Sequence, residues 1–204
     1  SKLSLSRVVA GMPRKHEYRA DHKLLKRYFS KVKSIMFRVG EGIYKLHLGN
    51  IIHGQIDSHN IMKFGVRWKI TGLCGSVVRG ADFSMTRLGT HSPPEAFVLP
   101  QKETSSPFVA GPSVDIWAFG KLIYEAFVGE SIFASFVEPA DENLQLRCIA
   151  GWSHRHVKVL KGHLTESGIG EMGIDLVCSC LRMEHNRPHS MANILQHEFW
   201  KENY

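Results

Sequence analysis

The sequence lacks a long apolar run. Its longest apolar stretch, residues 116–128, is interrupted by Lys121 and Glu125 and is shorter than the ~20 residues that a membrane-spanning helix needs. The four cysteines form no CxxC pair and the twelve histidines form no HExxH pattern, so no transmembrane segment and no metal site are predicted. Cys178 and Cys180 are predicted to be buried free thiols, with a disulfide as the alternative in a secreted protein.

Acidic residues are scarce at the front of the chain. Residues 1–50 contain 12 Lys and Arg against 3 Asp and Glu, whereas the rest contain 14 against 16. Residues 1–33 are therefore predicted to contain a basic connector and the start of a helical region. We interpret the excess charge as a solvated helix face. The alternative is a basic module, residues 2–33, that binds an anionic surface.

The chain also has neither an initiator Met nor a signal peptide at Ser1, so we expect a fragment or a processed form. At 204 residues it fits one domain. Apolar residues recur every three or four positions from Asp21 to about Leu48, which predicts a long helix. Ser113 is predicted to cap a buried helix that continues to Val128. Further predicted elements are helices over residues 142–151, 174–183 and 191–200 and a β-hairpin over residues 61–71.

Two other segments carry fewer signals of regular structure. Pro100, Pro107 and Pro112 oppose helix and strand formation, so residues 98–112 are predicted to form an inserted surface loop. Residues 168–173 fit the pattern GxGxxG, but no predicted strand precedes them and no acidic residue completes a nucleotide-binding unit. We interpret this glycine cluster as a turn that leads into a helix.

The most informative stretch is residues 51–62, which read Ile-Ile-His-Gly-Gln-Ile-Asp-Ser-His-Asn-Ile-Met. It resembles the catalytic loop of eukaryotic protein kinases, in which His-Arg-Asp precedes an apolar residue and, four positions later, an Asn. His53, Ile56 and Asn60 match that frame. By the same resemblance, Met62 matches the apolar floor under the adenine of ATP.

Four positions depart from the family pattern at residues that do chemistry. Gly54 replaces the Arg, Gln55 replaces the Asp that acts as catalytic base, and Asp57 replaces the usual Lys. Gly72 replaces the Asp of the Asp-Phe-Gly triplet that holds magnesium. Because an amide cannot accept the substrate proton and magnesium loses a ligand, the resemblance implies a pseudokinase in which Asn60 alone survives.

The resemblance continues along the chain. Glu95 ends a Pro-Pro-Glu triplet that matches Ala-Pro-Glu, residues 113–120 match the helix start written DVWSLG, and Arg187 precedes a proline as in the family. The resemblance implies a mainly α fold (α+β), a kinase-like C-terminal lobe over residues 34–204 with a small hairpin beside the catalytic loop. The N-terminal lobe has no counterpart in this chain. A partly buried Glu95–Arg187 ion pair is also implied.

The resemblance implies roles for several more side chains. His53 is expected to pack in the core and to hydrogen-bond toward Asp115, and Leu73 is expected to fill the apolar slot of the missing Phe. No cofactor is expected. Weak, metal-independent nucleotide binding through Asn60 and Met62 stays open.

Residues 72–80, the Pro-Pro-Glu ending and the His-Gly-Gln triplet are also similar to rhoptry-type pseudokinases, secreted apicomplexan effectors that often bind host proteins. This similarity implies secretion; otherwise we expect a cytoplasmic protein. A protein partner, either a host protein or an active kinase, is expected at residues 72–95 and 98–112, and no nucleic acid is expected. The alternative function is an atypical kinase of low activity that uses Asp57 and Asn60.

Overall fold

The computed structural model describes residues 3–11, 22–83, 88–97, 108–138, 140–183 and 187–202. Within them the chain forms seven α-helices and five short strands, so the predicted mainly helical fold is confirmed. The helices are α1 (Leu5–Ala10), α2 (His22–Leu48), α3 (Pro112–Val128), α4 (Glu142–Ala150), α5 (His154–Ser167), α6 (Glu171–Cys180) and α7 (Met191–Leu195). The strands are β1 (Leu3–Ser4), β2 (Ile51–Ile52), β3 (Ile61–Phe64), β4 (Arg67–Ile70) and β5 (Val77–Val78).

Helix α3 is the centre of the core. It is buried on nearly every side, as expected of a helix enclosed by other elements, and Trp117 and Tyr124 have almost no exposure. Helix α6 approaches so closely that a Cβ at Gly120 would overlap the Cβ of Cys180. Cys178 and Cys180 are buried free thiols, as predicted, and burial raises the pKa of Cys178 to about 11 and of Cys180 to about 12.

Helix α2 packs on α3 and matches the long helix predicted from the sequence. Phe29 of α2 meets Phe127 of α3 edge-on, with ring centroids 4.9 Å apart, and the Tyr28 hydroxyl donates to the Ala126 carbonyl at 2.9 Å. The buried residues keep the three- and four-residue spacing of the prediction: Leu25, Phe29, Val32, Met36, Val39 and Ile43. In the part of the chain that the structure describes, no helix combines the length and the apolar character needed to cross a bilayer.

Two small antiparallel sheets support the loops of the candidate site. Strands β3 and β4 form the predicted hairpin, with its turn at Gly65, where φ is 57°. Strand β1 pairs with the other edge of β3, so the order is β1-β3-β4. Strands β2 and β5 pair through Ile51 with Val78 and Ile52 with Val77. This second sheet places the start of the loop over residues 53–60 next to residues 77–78, which follow the hairpin.

The front of the chain differs from the predicted connector. Residues 3–10 form β1 and α1, and Leu5 and Val8 are buried in the main core. Two apolar residues three positions apart are too few to reveal a helix by periodicity, so the sequence indicated an exposed segment. Helix α2 begins at His22, so the predicted start of the helical region before residue 34 is confirmed. Residues 12–20 lie outside the described residues.

Three predicted helices have different bounds. The helix predicted over residues 174–183 is α6, which runs three residues earlier, over Glu171–Cys180. Helix α3 begins at Pro112 with Gly111 as its N-cap, rather than with Ser113 as the cap, because proline suits the first helical turn. The helix predicted over residues 191–200 divides into α7 and a 3₁₀ turn over Glu198–Lys201. These shifts move the ends of the elements and leave their order unchanged.

The glycine cluster is a turn between two helices, as predicted. Gly168 ends α5 with φ of 85°, and Gly170 caps α6. Helix α5 itself was not predicted. Of the predicted inserted loop, residues 98–107 lie outside the described residues, and Val109 forms an isolated β-bridge with Asp82.

Candidate functional site

Asp115 anchors the loop that corresponds to the kinase catalytic loop. Its side chain is fully buried in the first turn of α3. Oδ1 accepts the backbone N–H of Gly54 at 2.8 Å, and Oδ2 accepts the backbone N–H of His53 at 2.9 Å. Because both donors are backbone amides bonded to a charged acceptor, the anchor does not depend on the Arg that Gly54 replaces.

Two histidine rings near this loop differ in whether they contact the Asp115 carboxylate. The prediction that His53 packs in the core and hydrogen-bonds toward Asp115 is confirmed through its backbone N–H. Its ring turns elsewhere: Nε2 lies 2.9 Å from the Thr71 carbonyl and Nδ1 accepts the Gln55 N–H at 3.2 Å. Nε2 therefore carries the proton and donates to Thr71. The ring that reaches Asp115 belongs to His47, whose Nε2 lies 2.8 Å from Oδ2. Apolar periodicity does not mark such a polar contact, and the one available signal was the position of His47 in the last turn of α2.

Asp57 closes a turn inside the loop. Its Oδ1 accepts the backbone N–H of His59 at 2.7 Å and that of Asn60 at 2.9 Å. The Asn60 amide Nδ2 donates to the Gln55 carbonyl at 2.9 Å and lies 3.4 Å from Asp57 Oδ2. This is an Asx-type turn, in which the carboxylate serves the local backbone.

The segment after the hairpin packs directly on this loop. Gly72 has φ of 81°, and a Cβ at that position would lie 2.5 Å from Oδ1 of Asn60. A Cβ at Gly75 would lie 2.8 Å from Oε1 of Gln55. Neither position has room for a side chain unless its neighbour moves. Gln55 and Asn60 are thus in contact with the main chain of residues 72–75. By the resemblance to kinases, they stand at the positions of the catalytic base and of a metal ligand.

Gly54 is fitted to its surroundings in the same way. Its φ is 76°, and a Cβ there would lie 2.9 Å from Cε2 of Phe83. Left-handed backbone of this kind favours glycine. The replacement of the family Arg by Gly54 therefore accompanies a close contact with the aromatic ring of Phe83, which belongs to the following segment.

Leu73 and Met62 are the two apolar residues that the resemblance placed near a nucleotide. The prediction that Leu73 fills the slot of the missing Phe is wrong, because its side chain is 50% exposed. Leu73 begins a 3₁₀ turn directly after the left-handed Gly72, and this turn leaves the side chain at the surface. Met62 is half-buried in β3, opposite Ser4 of β1, and its role under adenine stays a prediction.

The Glu95–Arg187 ion pair implied by the motif order is present. Arg187 Nη1 lies 2.6 Å from Glu95 Oε1 and Nη2 lies 3.1 Å from Oε2, so the contact is bidentate. The same guanidinium donates to the carbonyls of Ser113 and Arg182 and lies 5.2 Å from the ring centroid of Trp117. The Arg187 side chain is fully buried, and its contacts join the Pro-Pro-Glu segment to the start of α3.

The charge of Asp57 affects the pKa of a buried carboxyl group, Glu125 on α3. Burial raises the pKa of Glu125 on α3, Lys121 opposes that shift, and the charge of Asp57 adds to it. Lys121 Nζ lies 3.8 Å from Glu125 Oε1. Asp57 stands where the kinase pattern has Lys, so this end of the loop carries a negative charge in place of a positive one.

Comparisons with known proteins agree with the geometry. The family model of the protein kinase domain matches residues 10–200. Cyclin-dependent kinase-like 2 of Homo sapiens is 24% identical over 204 residues, which cover 85% of this chain and 38% of that protein. Atypical protein kinase C of Drosophila melanogaster is 26% identical over 172 residues, which cover 76% of this chain and 26% of that protein.

A solved structure shares the fold. The twitchin kinase region from C. elegans superposes with a TM-score of 0.64 at 18% identity, over 98% of this chain and 32% of that chain. The chain spans well under half the length of the curated relatives described above. Since the kinase family model covers nearly all of its residues, the chain belongs to the protein kinase domain family.

Proposed function

We propose that this domain is a pseudokinase, a kinase-like lobe that transfers no phosphate and acts as a protein-binding scaffold or allosteric regulator. The observation that carries the proposal is the contact between Gly72 and Asn60. An Asp at position 72, which kinases use to hold magnesium, would place its Cβ 2.5 Å from Asn60 Oδ1. The two positions that hold metal in an active kinase pack against each other in this chain.

The chemistry of Gln55 supports the same proposal. An amide cannot take the proton of a substrate hydroxyl, and a positioned general base contributes ~10²–10⁴-fold to a rate. The Gln55 side chain also lies against Gly75, so the place of the base is covered as well as changed. A variant that restores only the carboxylate, Gln55→Asp, is therefore expected to remain inactive.

The residues present do not fit a magnesium-bound nucleotide. Gly72 offers no ligand atom from a side chain, and Asn60 already donates to the Gln55 carbonyl while its Oδ1 faces Gly72. Nucleotide binding through Asn60 and Met62, if any, would be weak and independent of metal. No cofactor is proposed.

The atypical-kinase alternative rests on Asp57. Its Oδ1 accepts two backbone N–H groups, and hydrogen bonds to the ionised form weaken a carboxylate as a base. The side chain is 36% exposed, so the carboxylate is accessible, but it lacks a metal partner at position 72. These contacts favour the scaffold over the enzyme.

A thermal-shift titration with ATP, with and without magnesium, tests the proposal. A ligand at 100 times its Kd adds ~2.7 kcal/mol of stability, so a functional nucleotide site gives a clear shift at millimolar ATP. We expect no magnesium-dependent shift, and no transfer of radiolabelled phosphate to a generic protein substrate. A magnesium-dependent shift, or transfer that Asp57→Ala abolishes while His59→Ala does not, would contradict the pseudokinase and support the atypical kinase.

The finer assignment concerns where the protein acts. The similarity of residues 72–80 to rhoptry-type pseudokinases supports a secreted effector whose partner is a host protein or an active kinase, with residues 72–95 and the loop over 98–112 as the contact surface. Localisation of the tagged protein in its native cell tests this. Retention in the cytoplasm would contradict the secreted assignment and leave the scaffold proposal unaffected.

A further inference from the structure

A wide groove lies between helix α2 and the β3–β4 hairpin, and the proposed function does not use it. The groove has a volume of about 980 Å³. It is lined by six cations, and Glu41 is the one acidic residue among the described residues that line it. The cations are Lys31, Arg38 and Lys45 on α2 and Lys63, Arg67 and Lys69 on the hairpin.

The three cations of α2 form one row. They are spaced seven positions apart, which places them on the same face of a helix. Lys31, Arg38 and Lys45 are all exposed, and the row extends for about 21 Å at ~1.5 Å of rise per residue. Arg38 forms an ion pair with Glu41, with Nη1 2.8 Å from Oε2, and the Arg38 side chain is still 65% exposed.

The hairpin supplies the other side of the groove. Lys63 of β3 pairs with Trp68 of β4, so it shares the face of the hairpin that Ile70 turns toward α2. Arg67 and Lys69 alternate with Trp68 and Ile70 along β4, so they reach the groove from its edge. Ile70 packs toward α2, where its Cδ1 would lie 3.0 Å from a Cβ at Gly42. Arg67 and Lys69 are exposed at the rim.

The floor between these rows is aliphatic. Leu46 of α2 and Ile70 of β4 line it and are half-buried, so their side chains are accessible to a ligand. Ile35 and Val39 of α2 also line it but are only 4% and 2% exposed. Val66 and Leu73, which are 89% and 50% exposed, stand at its border. A concave aliphatic floor suits aliphatic side chains rather than a flat lipid surface. Trp68 is the one aromatic ring among the described lining residues, which is few for stacking the bases of a single-stranded nucleic acid.

We propose that this groove binds an acidic peptide segment of a partner protein, with carboxylates opposite the cationic rows and aliphatic side chains on the floor. At ~3.3 Å per extended residue, about six residues of peptide match the length of the α2 row. Complementary charge accelerates encounter and fixes the orientation, and the apolar floor adds buried area.

The test uses an eight-residue, fluorescein-labelled peptide in which pairs of Glu alternate with Leu, followed by fluorescence anisotropy. The groove variant is Lys31→Glu/Lys45→Glu. The matched control is Lys26→Glu/Arg27→Glu, which makes the same charge change at exposed positions of the same helix that do not line the groove. We expect the groove variant to weaken binding by about tenfold or more and the control by about twofold or less, with affinity falling as salt rises.

Changes in the peptide test the floor without altering the protein. Replacement of each Leu by Gln is expected to weaken binding, and replacement of each Glu by Gln is expected to abolish it. Equal weakening by the groove and control variants would overturn the site, because helix charge alone would then account for binding. Tighter binding of single-stranded RNA or of phosphatidylserine vesicles, or no peptide binding at millimolar protein, would overturn the peptide assignment.

The outcome is separable from that of the proposed function. The groove variant leaves residues 53–60 and Gly72 unchanged, so it does not alter the ATP titration. A failure of the peptide titration overturns the groove proposal alone, whereas magnesium-dependent phosphate transfer overturns the pseudokinase alone.

Discussion

Two parts of the molecule bond to the first turn of helix α3: the Glu95–Arg187 pair and the loop over residues 53–60. The ion pair matches the kinase pattern in its side chains, whereas the loop matches it at His53, Ile56 and Asn60 only. Arg187 bonds the carbonyl of Ser113 and the carboxylate of Glu95, as the motif order implies. The loop is anchored on Asp115, and its residues at positions 54, 55 and 57 differ from the kinase pattern.

The difference has a physical reason. The Arg187 network depends on particular side chains, because a buried guanidinium needs its carboxylate and carbonyl acceptors. The loop depends on the backbone N–H groups of His53 and Gly54, which any residue with a suitable φ supplies. Residues 54, 55 and 57 can therefore differ from the kinase pattern while the loop stays in place, and Gly72 and Gly75 lie close against Asn60 and Gln55.

Removal of the Arg187 charge should have the largest effect. Arg187→Met leaves Glu95 partly buried without its partner, and breaking one partner of a buried pair costs ~3–5 kcal/mol. Urea denaturation followed by circular dichroism measures the change in the free energy of unfolding. The control is Arg38→Met, which breaks the exposed Arg38–Glu41 contact, and exposed pairs are worth about 0–1 kcal/mol. Equal losses of unfolding free energy in the two variants would show that the buried Arg187 contacts stabilise the protein no more than an exposed ion pair does.

A side chain at position 72 should have the next largest effect. Gly72→Ala forces a non-glycine residue to φ of 81° and pushes a Cβ against Asn60, so we expect a loss of about 1–3 kcal/mol. Gly80→Ala is the matched control, because Gly80 has φ of 88° with nothing within 4 Å of a Cβ. The excess loss at position 72 over position 80 measures the contact with Asn60.

The double variant Gly72→Ala/Asn60→Ala sharpens this measurement. Removal of the Asn60 amide opens the space for the new Cβ, so the two substitutions should be coupled, with the double variant more stable than the sum of the single losses predicts. Purely additive losses would show that Gly72 and Asn60 do not constrain each other and would contradict the close contact between them.

The sequence predicted the long helices and the Glu95–Arg187 pair better than it predicted the contacts of the loop over residues 53–60. Helix α2 and helix α3 repeat apolar residues over many turns, and the Glu95–Arg187 pair follows from motif order. The contacts of His47, the surface position of Leu73 and the turn closed by Asp57 depend on φ angles and on single hydrogen bonds, which periodicity does not encode. Helix α1 was not predicted, because its six residues are too few to show an apolar repeat.

The smallest effect is expected outside both regions, at His156 in the first turn of α5. Burial lowers the pKa of His156 below its ordinary 6.5. Its ring stacks on Trp152 with centroids 4.8 Å apart, and its Nδ1 accepts the Ser153 N–H at 3.1 Å. A proton on Nδ1 would break that hydrogen bond and so disrupt the capping box at the start of α5.

Because the folded-state pKa of His156 lies below the unfolded value, its contribution to stability is present above about pH 6.5 and is lost as the pH falls through the folded-state pKa. His156→Gln keeps an acceptor at the same helical position without a titrating ring. Urea denaturation at pH 7 and pH 5 should show wild type losing slightly more stability than this variant, while every other histidine is common to both proteins. An identical pH dependence in the two proteins would mean that α5 tolerates a charged His156 and that its cap does not depend on the neutral ring.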